Sequence, residues 1–160
     1  MNQLQAFVSK CILSMMVGIS SAILNVAAVA DESVKIKRHD VPEAVLGAFN
    51  RAYPKARVNA YLRETREGKT VFELETIERS THRDLIYSPA GEILEIEESL
   101  SPSALPGTVK TAIDGLYPKA KISKAELVTK GTSTVYEAIV NVKGKSITLL
   151  FRENGERVAP

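Results

Sequence analysis

Apolar residues at Val41, Val45, Ala48, Phe49 and Ala52 fall at i, i+4, i+7, i+8 and i+11, a spacing that predicts one helix with a single apolar stripe. Asp40 is placed to cap it, with Glu43 in the capping-box position and Pro42 tolerated in the first turn. The helix must stop near Tyr53-Pro54, because the residue before proline is pushed out of the helical region. Beyond that proline the period changes from 3.6 to two. Residues 58–65, 70–77, 83–87 and 93–97 read as strands, and the segments 66–69, 78–82 and 88–92, which carry turn chemistry, read as the turns between them. The helical stripe then returns at Leu105, Val109, Ala112, Ile113 and Leu116, stops at Tyr117-Pro118, and gives way to strands over 122–129, 134–142, 145–151 and 156–158. Burying five apolar side chains is worth on the order of 10 kcal/mol. Ordering the segment costs about 1–2 kcal/mol per residue, so each helix needs a sheet beneath it.

The two halves are related by one offset. Pro42 returns as Pro106, a shift of 106 − 42 = 64, and at that offset Tyr53-Pro54-Lys55-Ala56 faces Tyr117-Pro118-Lys119-Ala120, Val71-Phe72-Glu73 faces Val135-Tyr136-Glu137, and Gly91-Glu92 faces Gly155-Glu156. A period of this length indicates a repeated supersecondary unit. The expected fold class is α+β: two tandem α-β-β-β-β repeats, an antiparallel sheet with helices on one face and the other face open, since connections this short make meanders. The expected boundaries are a signal peptide over 1–30, a flexible lead over 31–39, repeats over 40–98 and 104–160, and a linker over 99–103. A unit of about sixty residues is marginal alone, so the two are expected to fold as one body.

Alternation assigns the faces. Phe72, Leu74, Leu85 and Tyr87, with Tyr136, Ala138, Val140, Leu149 and Phe151, are expected to face the helices; Glu73, Glu75, Ile86, Glu137, Ile139 and Leu150 are expected on the open side. The candidate partner-binding residues are Tyr61, Arg63, Glu73, Glu75, Glu137 and Ile139, with Tyr and Arg the types that most often anchor interfaces.

The series of proline, apolar helix, Tyr-Pro-Lys-Ala, strand, Val-Phe/Tyr-Glu and late Gly-Glu turn resembles the PepSY-like repeat of secreted bacterial proteins, over residues 40–97 and 104–158. The resemblance implies a tandem α+β fold similar to β-lactamase inhibitory protein, in which the uncovered sheet face engages a partner, and it implies no catalytic residues. Only one helix per copy is evident here, where the inhibitory protein has a pair.

Residues 1–30 carry Lys10 as their only charge and an apolar run over 11–26. They end in Ala28-Val29-Ala30, the anatomy of a secretory signal cleaved after Ala30. Its removal takes away Cys11, the only cysteine, so no disulfide is expected to hold the mature chain. It also lowers Lys plus Arg from 21 to 20 against 19 acids, a balance of +1 that points to neither nucleic acid nor an anionic membrane, and no stable membrane insertion is expected once the signal is cleaved. The expected setting is periplasmic or secreted, and the expected partner an envelope or extracellular protein.

No enzyme is expected. His39 and His82 have no second ligand at metal spacing, and Ser80, His82 and Asp84 are too close in sequence to form a triad around an oxyanion hole. Glu92, Glu95, Glu97 and Glu98 make an acidic strip in which only Glu95 and Glu97 share a strand face, so joint cation ligation by all four is disfavoured. No cofactor is expected. The alternative to a protein-binding module is a small-ligand or metal-ion carrier in the cell envelope.

Overall fold

The computed structural model describes residues 33–159, and the signal-peptide reading lies outside them. Helix α1 spans Glu43–Ala52 and helix α2 Gly107–Leu116. Each starts directly after a proline, Pro42 or Pro106, and is closed by the Tyr53 or Tyr117 N–H donating to Phe49 O or Ile113 O at 2.8 Å. Asp40 does not cap α1. It ends a 3-10 turn, Arg38–Asp40, where its carboxylate accepts the Lys37 N–H at 3.1 Å; a matching turn, Pro102–Ala104, precedes α2.

The strands are β1 Ser33–Ile36, β2 Arg57–Arg66, β3 Lys69–Glu78, β4 Thr81–Tyr87, β5 Ile93–Leu100, β6 Lys121–Lys130, β7 Ser133–Val142, β8 Lys145–Phe151 and β9 Arg157–Val158. They form one antiparallel nine-stranded sheet in chain order, so the fold is α+β with a single sheet. The pairing of β5 with β6, from Ile96–Thr129 to Leu100–Ala125, joins the two halves. The segment read as a lead contributes β1, which pairs with β2 from Ser33–Glu64 to Ile36–Tyr61. Elements α1, β2, β3 and β4 start at 43, 57, 69 and 81, and α2, β6, β7 and β8 at 107, 121, 133 and 145, each 64 later. The halves differ at their edges: β1 precedes only the first, and β9 has two residues where β5 has eight.

Both helices lie on one side of the sheet. Val45 and Phe49 of α1 pack with Phe72, Leu74, Leu85 and Tyr87, and Val109 and Ile113 of α2 with Ala138, Val140, Leu149 and Phe151. Two turn glycines set the helix height. Gly91 (φ +82°) and Gly155 (φ +83°) pass so close beneath the helix starts that a Cβ would lie 2.5 Å from Ala44 O and 2.8 Å from Thr108 O. Only glycine combines this φ with this approach.

Replacing Gly91 by Ala is expected to destabilise the protein by about 2–3 kcal/mol, because the left-handed backbone and the backbone clash are both penalised; chemical denaturation measures it. The Tyr87 hydroxyl provides a second check. Burial, and then Tyr53, push its pKa up to about 12. Burial raises the Tyr53 pKa as well, so tyrosinate absorbance should show late ionisation at both Tyr53 and Tyr87, and stability should fall as pH rises from about 10 to 12, since the unfolded chain ionises Tyr87 first.

Candidate functional site on the sheet face away from the helices

A one-residue bulge decides which side chains reach this face. Val58 pairs with Thr76 and Ala60 with Glu75, so Asn59 is the extra residue and the alternation of β2 flips after it. Ala60, Leu62, Glu64 and Arg66 consequently turn away from the helices, while Tyr61 and Arg63 lie on the helix side opposite Leu74 and Phe72. Tyr61 packs against the α1 core. This corrects the sequence-based placement of Tyr61 and Arg63 on the open face. The same irregularity recurs in β6, where Ile122 pairs with Val140 and Lys124 with Ile139, and the extra residue Ser123 donates its hydroxyl to Ile139 O at 3.0 Å.

The other four candidates are on the expected face. Glu73 and Glu137 are buried, 1% and 7% exposed, whereas Glu75 and Ile139 are half-buried. Carboxylates stand side by side across the middle of this face: Glu75 opposite Asp84, Asp84 opposite Glu97, and Glu126 opposite Glu137. Ligand oxygens of Asp84, Glu97 and Glu126 lie within 4.8 Å of one another, the one group among the described residues with donors gathered closely enough to hold a cation. His39 and His82 are exposed and outside that group. In the acidic strip, Glu95 and Glu97 join the face, whereas Glu98 pairs with Arg83 on the helix side at 2.6 Å. Beside the acids, Val128, Val135, Leu150 and Val158 form a buried apolar cluster.

Cations enter from the strand ends. Arg66, 13% exposed, reaches Glu64 at 2.7 Å, Glu73 at 3.4 Å and Glu95 at 3.5 Å. Ser33 of β1 donates to the second Glu64 oxygen at 3.0 Å. Burial by itself would lower the Arg66 pKa, but Glu64, then Glu95 and Glu73, outweigh it and the net shift is upward. Lys124 behaves alike: burial opposes its charge, while the 2.8 Å contact with Glu126, helped by Glu97 and Glu137, raises its pKa. Lys130 approaches Glu95 at 3.9 Å. The sequence pattern places Arg66 in the 66–69 turn. The two-residue connection Glu67-Gly68, with φ of 51° and 73°, instead carries Arg66 into the ladder opposite Lys69.

No protein-family profile and no curated protein sequence matches the chain. Solved structures do. A BLIP-like protein from Bacteroides fragilis superposes with a TM-score of 0.60 at 21% identity, covering 74% of this chain and 84% of that one. The chain has the BLIP-like fold. A DUF2874 family protein from Bacteroides uniformis superposes with a TM-score of 0.65 at 14% identity (74% and 86% covered), and a protein from Bacteroides eggerthii, provisionally described as periplasmic, with 0.62 at 15% (74% and 86% covered). At these identities the likeness is one of fold. Among the described residues no helix is long and apolar enough to cross a membrane.

Arg66 bridges three carboxylates from three strands, so Arg66→Ala should cost about 2–4 kcal/mol, most of it from leaving buried carboxylates without that cation. Thermal or urea unfolding measures the loss, and a change below about 0.5 kcal/mol would show that the bridge contributes little.

Proposed function

We propose that the protein is a non-catalytic binding module of the periplasm or the secreted space, recognising a protein partner through the sheet face turned away from the helices. The observation that carries this reading is the makeup of that face: buried carboxylates and an apolar cluster form a cross-braced platform that neither helix covers. The likeness to BLIP-like proteins supports it, and the secretory character of residues 1–30 supports the location. We read the 64-residue recurrence of elements, bulges and turn glycines as two copies of one PepSY-like unit, whose fusion widens the platform.

Glu75 and Ile139 make direct contact, and the buried Glu73 and Glu137 flank them two residues away on the same strand faces. Tyr61 and Arg63 leave the contact set because they lie on the helix side of the sheet. The closeness of Asp84, Glu97 and Glu126 favours the carrier as the second reading, with a metal ion as cargo. Inhibition of the partner is one outcome such binding can have.

The test is capture of envelope proteins with residues 31–160 as bait, followed by the variant Glu75→Lys with Ile139→Ala. The variant is expected to keep its circular dichroism and to lose a captured partner by at least about 2 kcal/mol in affinity. A verified partner held as tightly by the variant contradicts the reading. Saturable calcium binding by the unmodified chain, with no captured protein, favours the carrier.

A further inference from the structure

We propose that the outer edge of β8 is a further binding site, taking an extended segment of a partner protein as an added antiparallel strand. That segment alternates apolar with polar residues and carries an acid at its C-terminal end. The site is separate from the platform and does not depend on it. The first half of the chain shows what such an edge holds. There β4 is covered by β5, through Arg83–Glu98, Asp84–Glu97, Leu85–Ile96 and Ile86–Glu95. At the 64-residue offset these β4 positions become Ile147, Thr148, Leu149 and Leu150, and β9 reaches only Leu150 and Phe151. Among the described residues, 145–149 are therefore paired with β7 on one side and with no strand on the other. The main-chain N–H and C=O groups of an open edge are a template for another chain.

The side chains single out this edge. β1, at the opposite end of the sheet, carries Lys35 within its four residues, a charge that discourages pairing. β8 offers the uncharged run Ser146-Ile147-Thr148-Leu149, β-branched at two positions, and keeps its one charge, Lys145, at the hairpin end. Core packing points the same way. Ile96 of β5, opposite Leu85, lies at the margin of the α1 core, whereas neither residue of β9 joins the α2 core, Val158 belonging to the cluster on the other face. Apolar side chains opposite Leu149 and Ile147 extend the α2 core as Ile96 extends that of α1. The end of the segment meets exposed Lys145, beside exposed Lys143 in the turn, so an acid there gains a cross-strand cation. A second copy of β8 fits less well. Two-fold antiparallel pairing centred on Ile147 sets Lys145 opposite Leu149 and drives Gly144 of each copy onto the position opposite Leu150 that Val158 already fills.

The test uses residues 31–160 and the end-capped peptide Ile-Thr-Val-Thr-Glu, followed by amide chemical shifts and amide hydrogen exchange. One control peptide is methylated on two successive backbone nitrogens, of which one must face β8 because N–H groups alternate sides along a strand. The other carries Lys in place of Glu. The Glu peptide is expected to shift the amides of 145–149 and slow their exchange, with β1 unchanged, and the methylated peptide to do neither. Lys145→Glu, at an exposed position, should weaken the Glu peptide about threefold and strengthen the Lys peptide by a similar factor. No shift of these amides at about 5 mM peptide overturns the proposal, as does an equal response to the methylated peptide or a variant that leaves both affinities unchanged. Shifts confined to β1, or to Glu75 and Ile139 on the platform, also overturn it. So does a chain that is dimeric without peptide and already protected over 145–149, which gives the edge to a second copy.

Discussion

Two helices of ten residues each cover one side of a nine-stranded sheet, so the charged groups on the other side find their partners among strand residues. Arg66 is the clearest case: one guanidinium gathers carboxylates from β2, β3 and β5, with Lys130 of β6 closing on the last of them. Charged groups out of water are tolerated only when paired and hydrogen-bonded. No buried side-chain polar atom among the described residues is left without a partner.

The helix side is ordinary packing, and its pattern was readable from the chain. Period 3.6 and period two located both helices and the strands to within a few residues, and Lys145–Phe151 matched its expected bounds. Pro42 and Pro106 stand at the N-caps, with ψ of 140° and 145°, where capping chemistry points to Asp40 for α1, because Asp40 is engaged in the 3-10 turn before the helix. The small edge strand β1 was missed since four residues carry too little alternation to stand out, and its pairing with β2 is a tertiary effect.

The far face was less legible for one local reason. A strand pattern is read with a fixed period, and a bulge adds a residue that the period does not count. Carried through Asn59 without that correction, the alternation puts Tyr61 and Arg63 on the wrong side and leaves Leu62, Glu64 and Arg66 unrecognised. β3 and β7 contain no bulge, and there Glu73, Glu75, Glu137 and Ile139 came out on the expected face. The meeting of Asp84, Glu97 and Glu126 depended on β5 pairing with β6, a contact between halves that neither half's sequence encodes alone.

The central claim is that binding uses the face remote from the helices. Carboxyl-labelling footprinting of the chain with a captured partner measures this directly, since Glu75 reports that face and Glu43 and Asp114 report the helices. Protection of Glu75, with Glu43 and Asp114 labelled as in the free protein, is the expected result; protection of Glu43 and Asp114 with Glu75 unchanged would move the partner to the helices and contradict the claim.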